Sequence, residues 1–351
     1  MVVQSKDIAV VVQGAIDKKQ TPKCLKSVRK HLPHAEIILS TWEGSDIKGL
    51  DFDVLLLNQD PGGVTPDFPS PMTNNTNRQL VSTKKGLAMV KRPYTLKLRS
   101  DLILTSNKFL AFFDIVPHMD EASALFERRV LVDTLFSRRT SCLKGVPMPF
   151  HPSDWWFFGL TADLNRYFQE TPLLKQEDKA PYQYLYPEKM PYSILDVCGR
   201  YSPEQYFCTS AVKRQFPSVV FEDWTDWNQL NIEQSRRILT NSFVFLDFEQ
   251  HGIYPKKYRR QIESFIPGLM TFETFLQDYI IYCDPSFVMP LKYRWQKTLK
   301  IEASFRNLCE SRDRFIRPLV SLFSWVLSPI FMVLYFIKTL TRALINLRHL
   351  F

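Results

Sequence analysis

Short apolar runs alternate with amphipathic stretches near the start of the chain, and this alternation constrains the fold more than any other feature. IAVVVQG, residues 8–14, is a β-branched run that ends at a glycine, as expected of a strand buried on both faces. A helix is predicted next at TPKCLKSVRKHL, whose apolar residues recur on one face. Two more strands are predicted at EIILSTW and DVLLLNQD, a longer helix at TNNTNRQLVSTKKGLAMVK, and a fourth strand at YTLKLRSD. This order indicates an α/β fold with a mostly parallel sheet, right-handed crossovers and flanking helices.

The composition narrows the class of protein. With 351 residues, of which 45% are hydrophobic, the chain can bury the core of one large α/β domain or two modest ones. Its net charge of +9 either serves solubility or favours an anionic partner, such as a nucleotide, a membrane surface or nucleic acid. We do not expect nucleic acid, because the positive excess lies near the C-terminus and not in a basic and aromatic groove. The six cysteines form no C-x-x-C pair, which indicates reduced thiols.

The predicted strands end in polar residues or glycine, and ligands of such sheets bind beyond the carboxyl ends of the strands. These ends are Gln13-Gly14, Thr41-Trp42-Glu43, NQDPGG (58–63) and Arg99-Ser100-Asp101. No G-x-G-x-x-G follows the first strand, so a Rossmann dinucleotide site is not indicated. The chain also has no P-loop motif and no G-x-S-x-G elbow, which argues against a P-loop enzyme and an α/β-hydrolase.

One carboxylate, Asp101, stands at the end of the fourth strand beside a cation and a hydroxyl group. Because Mg²⁺ is typically held by one or two carboxylates together with substrate phosphates, Asp101 is the predicted ligand of a divalent cation, Mn²⁺ or Mg²⁺. Ser100 would then bind a ribose or phosphate, and Arg99 would pair with phosphate or orient Asp101. This is the chemistry of the DxD site of GT-A glycosyltransferases, of which R-S-D would be a reduced version. The alternative is a simple ion pair between Arg99 and Asp101.

Several stretches in the same order resemble a known family. They are VVQGAI, CLKSVRKHLPHAEIILSTWEG, NQDPGG, NNTNRQLVSTKKGL, YTLKLRSDLILTSNKFL and HPSDWWFFGLTADL. Together they resemble the WavE-type lipopolysaccharide synthesis family of bacteria, over roughly residues 7–210. The resemblance implies a GT-A-like fold, a nucleotide-sugar donor and a surface-glycan acceptor.

Further residues near the strand ends are predicted to bind the donor. Those near the nucleoside are Gln13, Gly14, Thr41, Trp42 and Glu43. The Trp42 ring would stack on a base or sugar, or else belong to the core. Asn77 and Arg78 lie near the start of the longer helix, where backbone donors and an arginine favour phosphate. For Arg78 the alternative is a solvated charge on the helix surface.

The candidates for acid–base chemistry lie in the second half of the chain. Asp154 precedes the aromatic stretch WWFFG and would project at a sheet edge, with Trp155 and Trp156 suited to the apolar faces of pyranose rings. An inverting transfer needs one carboxylate to take the proton of the acceptor hydroxyl. We favour Asp154 for this role.

Glu204 is the second candidate for the proton acceptor. Ser202 and Pro203 predict the start of a helix, with Ser202 as its cap and Glu204 in the first turn. Glu204 would then act on the acceptor or at the metal, or would serve the cap alone.

The C-terminal part of the chain has a different character. Basic residues predominate over 292–317, residues 318–337 carry no charge, and the segment after them is amphipathic. We interpret residues 291–351 as a helical tail that lies on the anionic, cytoplasmic face of the bacterial inner membrane, as a peripheral or monotopic anchor. A membrane-spanning helix and a buried oligomerisation helix are the alternatives.

The resulting hypothesis is a glycosyltransferase domain over residues 1–290, with a Rossmann-like nucleotide-sugar half (1–115) and an acceptor half (116–290). Its substrates would be a nucleotide-sugar donor and a lipid-linked or oligosaccharide acceptor, such as the lipopolysaccharide core. A sugar nucleotidyltransferase is an alternative, weakened because QGAIDKKQTPK contains a single glycine. A non-catalytic scaffold of glycan assembly that kept the fold is another.

Overall fold

The computed structural model describes residues 3–63, 74–140, 146–175, 201–224, 226–259 and 268–288. All of these residues belong to one unit, which consists of Met1–Ile262 and Ile266–Tyr293. A second unit, Glu263–Phe265 with Arg294–Phe351, lies outside the described residues, and the predicted membrane tail lies there with it. None of the helices in the described ranges is both long and apolar enough to cross a bilayer.

The strands follow the predicted order in the first part of the chain. In chain order they are β1 (Ile8–Gln13), β2 (Glu36–Trp42), β3 (Val54–Asn58), β4 (Tyr94–Arg99), β5 (Leu102–Leu104), β6 (Val130–Asp133), β7 (Arg138–Thr140), β8 (Pro147–His151), β9 (Trp156–Leu160), β10 (Phe243–Leu246) and β11 (Ile253–Pro255). The helices are α1 (Thr21–His31), α2 (Thr76–Ala88), α3 (Thr161–Gln169), α4 (Pro203–Gln215), α5 (Gln229–Ser242), α6 (Phe248–His251) and α7 (Phe272–Tyr282).

Seven of these strands form the central sheet, in the order β3-β2-β1-β4-β9-β6-β10. All neighbouring pairs in it are parallel except the two that β9 makes, with β4 and with β6. The other strands form two antiparallel pairs, β5 with β11 and β7 with β8. Every residue of β1 is buried, because the strand lies inside the sheet and is covered on both faces. The prediction of a mixed α/β fold with a mostly parallel sheet is confirmed.

The strand order changes direction between β1 and β4. The chain runs outward from β1 to β2 and β3, and then returns to place β4 on the other side of β1. Gln13 and Arg99, the last residues of the two strands, lie opposite each other in the register. Open α/β sheets bind their ligands in the crevice that such a reversal leaves at the carboxyl ends. We call this place, formed by Gln13, Gly14 and residues 99–101, the switch-point crevice.

Helix α2 approaches the sheet closely enough to reach this crevice with its side chains. A Cβ added at Gly86 would overlap the side chain of Val11, so the helix can lie against β1 only because residue 86 is glycine. Leu80 and Leu87, two of the apolar residues predicted to anchor this helix, are fully buried. The close packing lets Ser82 of α2 reach Gln13 at the end of β1 and lets Gln79 reach the Asp154 carbonyl.

Candidate active site

Arg99 and Asp101 form an ion pair at the end of β4. Arg99 Nε donates to Asp101 Oδ1 at 3.0 Å, and Nη2 donates to Oδ2 at 2.7 Å. The two side chains are 30% and 31% exposed. The pair therefore faces the crevice in a position that a dissolved ligand can reach, and both carboxylate oxygens of Asp101 already accept from Arg99.

The end of β1 is tied to the end of β4 by Ser100. Its backbone N–H donates to the Gln13 carbonyl at 3.0 Å, and its hydroxyl donates to the Ala15 carbonyl at 2.6 Å. Gly14 between them has a φ of +111°, which favours glycine. The Gln13 side chain is buried, and its Oε1 accepts from Ser82 Oγ at 2.8 Å. These contacts hold the loop after β1 in place, and donor binding by Gln13, Gly14 and Ser100 stays a prediction.

The end of β2 lies at the same edge of the sheet, next to β1. Thr41 is buried, and its Oγ1 lies 3.2 Å from Ser45 Oγ. Trp42 is half-buried, whereas Glu43 is exposed and donates its backbone N–H to the Asn58 carbonyl at 2.9 Å. The side chains of Trp42 and Glu43 are thus accessible at the edge where ligands bind, and their contact with a nucleoside stays a prediction.

The two residues predicted on α2 have protein partners. Asn77 Oδ1 accepts from Leu174 N at 2.7 Å, and its Nδ2 donates to the Leu174 carbonyl at 3.2 Å, so Asn77 holds the segment that follows α3. Arg78 donates from Nε and Nη2 to the two carboxylate oxygens of Asp60, at 2.8 and 2.7 Å. To bind phosphate, Asn77 would have to release Leu174, and Arg78 would have to release Asp60.

Asp154 lies beside the crevice, just before β9. Because β9 pairs antiparallel with β4, with Trp156 opposite Leu98, the residues that precede β9 lie next to those that end β4. Lys97 Nζ and Gln79 Nε2 both donate to the Asp154 backbone carbonyl, the second at 2.8 Å. Asp154 is 6% exposed, and the strand that it precedes, β9, lies between β4 and β6. The prediction that Asp154 projects at an outer edge of the sheet is therefore wrong.

Glu204 reaches the same place from α4. The predicted cap is confirmed: the Ser202 hydroxyl accepts from Gln205 N at 3.2 Å, and the Gln205 side chain accepts from Ser202 N. This cap sets the direction of α4 and leaves the Glu204 side chain mostly buried, with its Oε2 3.9 Å from His151 Nε2. Burial raises the pKa of Glu204.

Glu204 lies close enough to Asp154 to act on its carboxyl group, although the two residues are far apart in the chain. Burial and the nearby Glu204 charge raise the pKa of Asp154 to about 6, against the lowering effect of Lys97 and Arg99. Burial and the Arg138 charge lower the pKa of His151 to about 3, so its ring is neutral at neutral pH. The structure thus brings together both predicted proton acceptors, with Asp154 next to the end of β4.

Lys97 is a functional candidate that the sequence analysis did not find. It is completely buried in β4, with Nζ 5.4 Å from the centre of the Phe157 ring and 5.9 Å from that of Phe168. Burial lowers its pKa to about 7. The signal in the sequence is a lysine between two leucines in a strand that is buried on both faces.

Aromatic rings form the wall behind Arg99. The guanidinium lies over the Trp155 ring, 4.9 Å from its centre, and Trp155 contacts the rings of Tyr258 and Phe136 at 4.7 and 5.0 Å. Phe136 has a φ of +67°, an uncommon backbone conformation for a bulky residue that is often found near functional sites. The Trp155 ring thus packs against the guanidinium that pairs with Asp101.

The expected role of the two tryptophans against pyranose rings is wrong, because Trp155 is 4% exposed and Trp156 is completely buried. Trp156 Nε1 donates to Asp133 Oδ2 at 3.2 Å, and Asp133 Oδ1 lies 3.4 Å from His251 Nε2. The sequence pattern did not show this burial, because the position of β9 inside the sheet depends on which strands pair. Both rings are buried, and Trp155 also forms part of the wall behind Arg99.

The side chains at the crevice do not form a metal site by themselves. Among the residues that the structure describes, no group of three or more His, Cys, Asp or Glu is placed to hold a metal ion. Asp101 is a single carboxylate, and both of its oxygens accept from Arg99. A cation bound there would have to displace Arg99 and take its remaining ligands from substrate phosphates, so the predicted cation at Asp101 stays a prediction.

The fold and the site define a mixed α/β protein with an ionisable cluster at the carboxyl ends of a mostly parallel sheet. The chain belongs to the WavE lipopolysaccharide synthesis family, whose model matches residues 8–306. This match covers every strand and helix named above and confirms the resemblance seen in the sequence. The family gives the protein a role in lipopolysaccharide synthesis and indicates a biosynthetic enzyme. The search of curated proteins found no match to this chain.

Proposed function

We propose that this chain is a glycosyltransferase that moves a sugar from a nucleotide-sugar donor to the lipopolysaccharide core or another bacterial surface glycan. The observation that carries the proposal is the meeting of Asp154 and Glu204 beside Arg99 at the switch-point crevice. Glycosyl transfer needs a group that binds the departing diphosphate and a base that takes the proton of the acceptor hydroxyl. Arg99 and Asp154 have the charges that these two roles require.

The donor half of the proposal rests on the sheet. A mostly parallel sheet with its reversal between β1 and β4 is the arrangement that a GT-A-like nucleotide-sugar half would use, because the ligand lies at the carboxyl ends. The donor would place its diphosphate near Arg99 and its nucleoside toward the ends of β1 and β2. The acceptor would enter from the side of α4, which carries Glu204.

In the proposed reaction the acceptor hydroxyl attacks the sugar carbon that carries the diphosphate. A bond forms between the acceptor oxygen and the sugar carbon, and the bond from that carbon to the diphosphate oxygen breaks. The hydroxyl proton passes to Asp154, and the nucleoside diphosphate leaves with its charge next to Arg99. With a pKa of about 6, Asp154 is ionised at neutral pH and still basic enough to accept a proton.

The test is a product assay with the full chain. Purified protein is incubated with a panel of nucleotide sugars and lipopolysaccharide core oligosaccharide, and the release of nucleoside diphosphate and the mass of the glycan are measured. Transfer supports the proposal. Release of pyrophosphate from a nucleoside triphosphate and a sugar phosphate would instead identify a sugar nucleotidyltransferase. Absence of both reactions, with retained binding of other assembly proteins, would favour a scaffold.

We also propose that residues 291–351 bind an anionic membrane surface on the cytoplasmic side, a role that rests on their sequence alone. Flotation of the full chain with vesicles that contain phosphatidylglycerol tests this. A variant that ends at residue 290 should stay unbound and still bind nucleotide. Equal flotation of both proteins would contradict the proposal.

A further inference from the structure

The charge of the donor diphosphate can be neutralised at the crevice in two ways, by a metal ion at Asp101 or by the Arg99 side chain. We propose that Arg99 binds the diphosphate directly and that the diphosphate replaces Asp101 as its partner, so that nucleotide binding needs no divalent cation. This inference rests on the proposed function, since a nucleoside diphosphate must be the ligand. It opposes the metal role that the sequence predicts for Asp101.

The first argument is the state of Asp101. A cation bound there would have to compete with Arg99 for both carboxylate oxygens, which already accept at 3.0 and 2.7 Å. No cluster of three His, Cys, Asp or Glu side chains in the described residues offers further ligands for a metal. The affinity of a site for a hard cation depends on the number of charged oxygen ligands. A single carboxylate whose charge Arg99 already neutralises would therefore bind a cation weakly.

The second argument is the geometry of Arg99. Its planar guanidinium presents two parallel N–H donors to Asp101, and phosphate accepts the same pair of hydrogen bonds. Within the described part of the chain, Asp101 is the only hydrogen-bond acceptor of this guanidinium. The centre of the Trp155 ring lies 4.9 Å from the guanidinium carbon, so the ring packs against the group and limits its movement. Arg99 is therefore already oriented to bind an anion.

The third argument is the exposure of the ion pair. Both side chains are about one-third exposed, at 30% and 31%, and the pair lies where the strand order reverses. An ion pair that water reaches contributes little to stability, so its exchange for a phosphate costs little. Asp101 then acts as a stand-in anion that keeps Arg99 in place before the donor arrives.

The two roles of Asp101 predict opposite effects of one substitution. If Arg99 binds the diphosphate, Asp101→Asn removes a competing anion and leaves nucleotide binding equal or tighter. If Asp101 binds a metal, the same substitution abolishes binding. Arg99→Gln should weaken binding about tenfold or more, since two charge-assisted hydrogen bonds are lost. Arg99→Lys should recover only part of the affinity, because the amine lacks the planar pair of donors.

The experiment is calorimetric titration of the full chain with UDP, GDP, CDP and ADP, first in EDTA and then in Mn²⁺. Arg29→Gln and Asp51→Asn are matched controls, because Arg29 pairs with Asp51 at 3.1 Å near the opposite edge of the sheet. If Arg99→Gln melts at a lower temperature than Arg29→Gln, its weaker nucleotide binding could reflect partial unfolding. The effect of Asp101→Asn on binding then decides between the two roles of Asp101.

Binding in EDTA that is weakened by Arg99→Gln and kept by Asp101→Asn supports the inference. Binding only in Mn²⁺, lost in Asp101→Asn, overturns it and leaves the proposed glycosyltransferase intact. If none of the four nucleotides binds in either buffer, while thermal melting shows a folded protein, the proposed function fails and the inference fails with it.

Discussion

Two pairs of ionisable side chains lie at the carboxyl edge of the same sheet and differ in their exposure. Arg99 and Asp101 at the end of β4 are 30% and 31% exposed, whereas His251 and Asp133 beside the end of β6 are 2% and 4% exposed. An exposed pair can exchange one partner for a ligand at little cost. A buried polar group that loses its partner stays desolvated and unsatisfied. Exposure therefore separates the pair proposed to bind a ligand from the pair that supports the fold.

The largest effect is expected from Asp154, a buried side chain that lies next to the more exposed of the two pairs. Asp154→Asn should lower sugar transfer by about a hundredfold to ten-thousandfold, because the amide cannot take the acceptor proton. Donor binding should persist, since the substituted side chain keeps its shape and Arg99 is untouched. Initial rates and nucleotide titration check the two parts, with Glu170→Gln, an exposed residue paired with Arg214, as the control. Unchanged turnover would move the role of the base to Glu204.

A loss of stability is expected on the buried side. Asp133→Ala should lower the free energy of unfolding by about 2–3 kcal/mol, because the buried N–H groups of Trp156 and Leu135 lose their acceptor. Urea unfolding followed by tryptophan fluorescence measures this. Asp133→Asn, which keeps an acceptor oxygen, is the matched control and should lose less. Equal losses in both variants would show that the charge of Asp133, and not its hydrogen bonds, stabilises the fold.

The pH dependence of transfer tests the role of Lys97, which we assign as a positioning residue for Asp154. Transfer should rise with pH through about 6, where Asp154 ionises, and fall about tenfold per unit below it. The Lys97 charge lowers the pKa of Asp154, so Lys97→Met should move the midpoint to higher pH, by about 1.

Rate–pH profiles of both proteins measure this midpoint. Lys84→Met is the control, because Lys84 lies on α2 and donates to the Thr171 carbonyl at 2.6 Å, away from Asp154. A purely structural role of Lys97 would lower the rate equally at every pH and leave the midpoint in place.

The smallest effect is expected from Asp101 on stability. Asp101→Ala should change the free energy of unfolding by less than about 1 kcal/mol, because its ion pair is partly exposed and screened by salt. Urea unfolding at low and high salt measures it beside Asp133→Ala. A loss as large as that of Asp133→Ala would remove the contrast between the two pairs and would argue against a partner exchange at Arg99.

The sequence predicted what short segments control. The apolar run of β1, the helices α1 and α2, the polar ends of four strands and the cap at Ser202 depend on neighbours along the chain, and all are present in the structure. Periodicity and capping act over a few residues, so their signals can be read locally. The candidate site was predicted in its residues but not in its geometry.

The amino-acid sequence by itself determined the element order and the parallel sheet of the first part of the chain, the ionisable residues at its carboxyl edge and the family. Only the tertiary structure decided that β9 lies between β4 and β6. Because of this strand order, Asp154 lies beside Lys97, and Trp155 and Trp156 are buried. Glu204 approaches the same place from α4. Strand pairing joins residues that are far apart in sequence, and it is selected by the packing of the whole sheet and not by any local pattern. The same packing leaves Arg99 and Asp101 partly exposed and buries Asp133 and His251. The difference in exposure between the two pairs therefore depends on the folded chain and cannot be seen in the sequence.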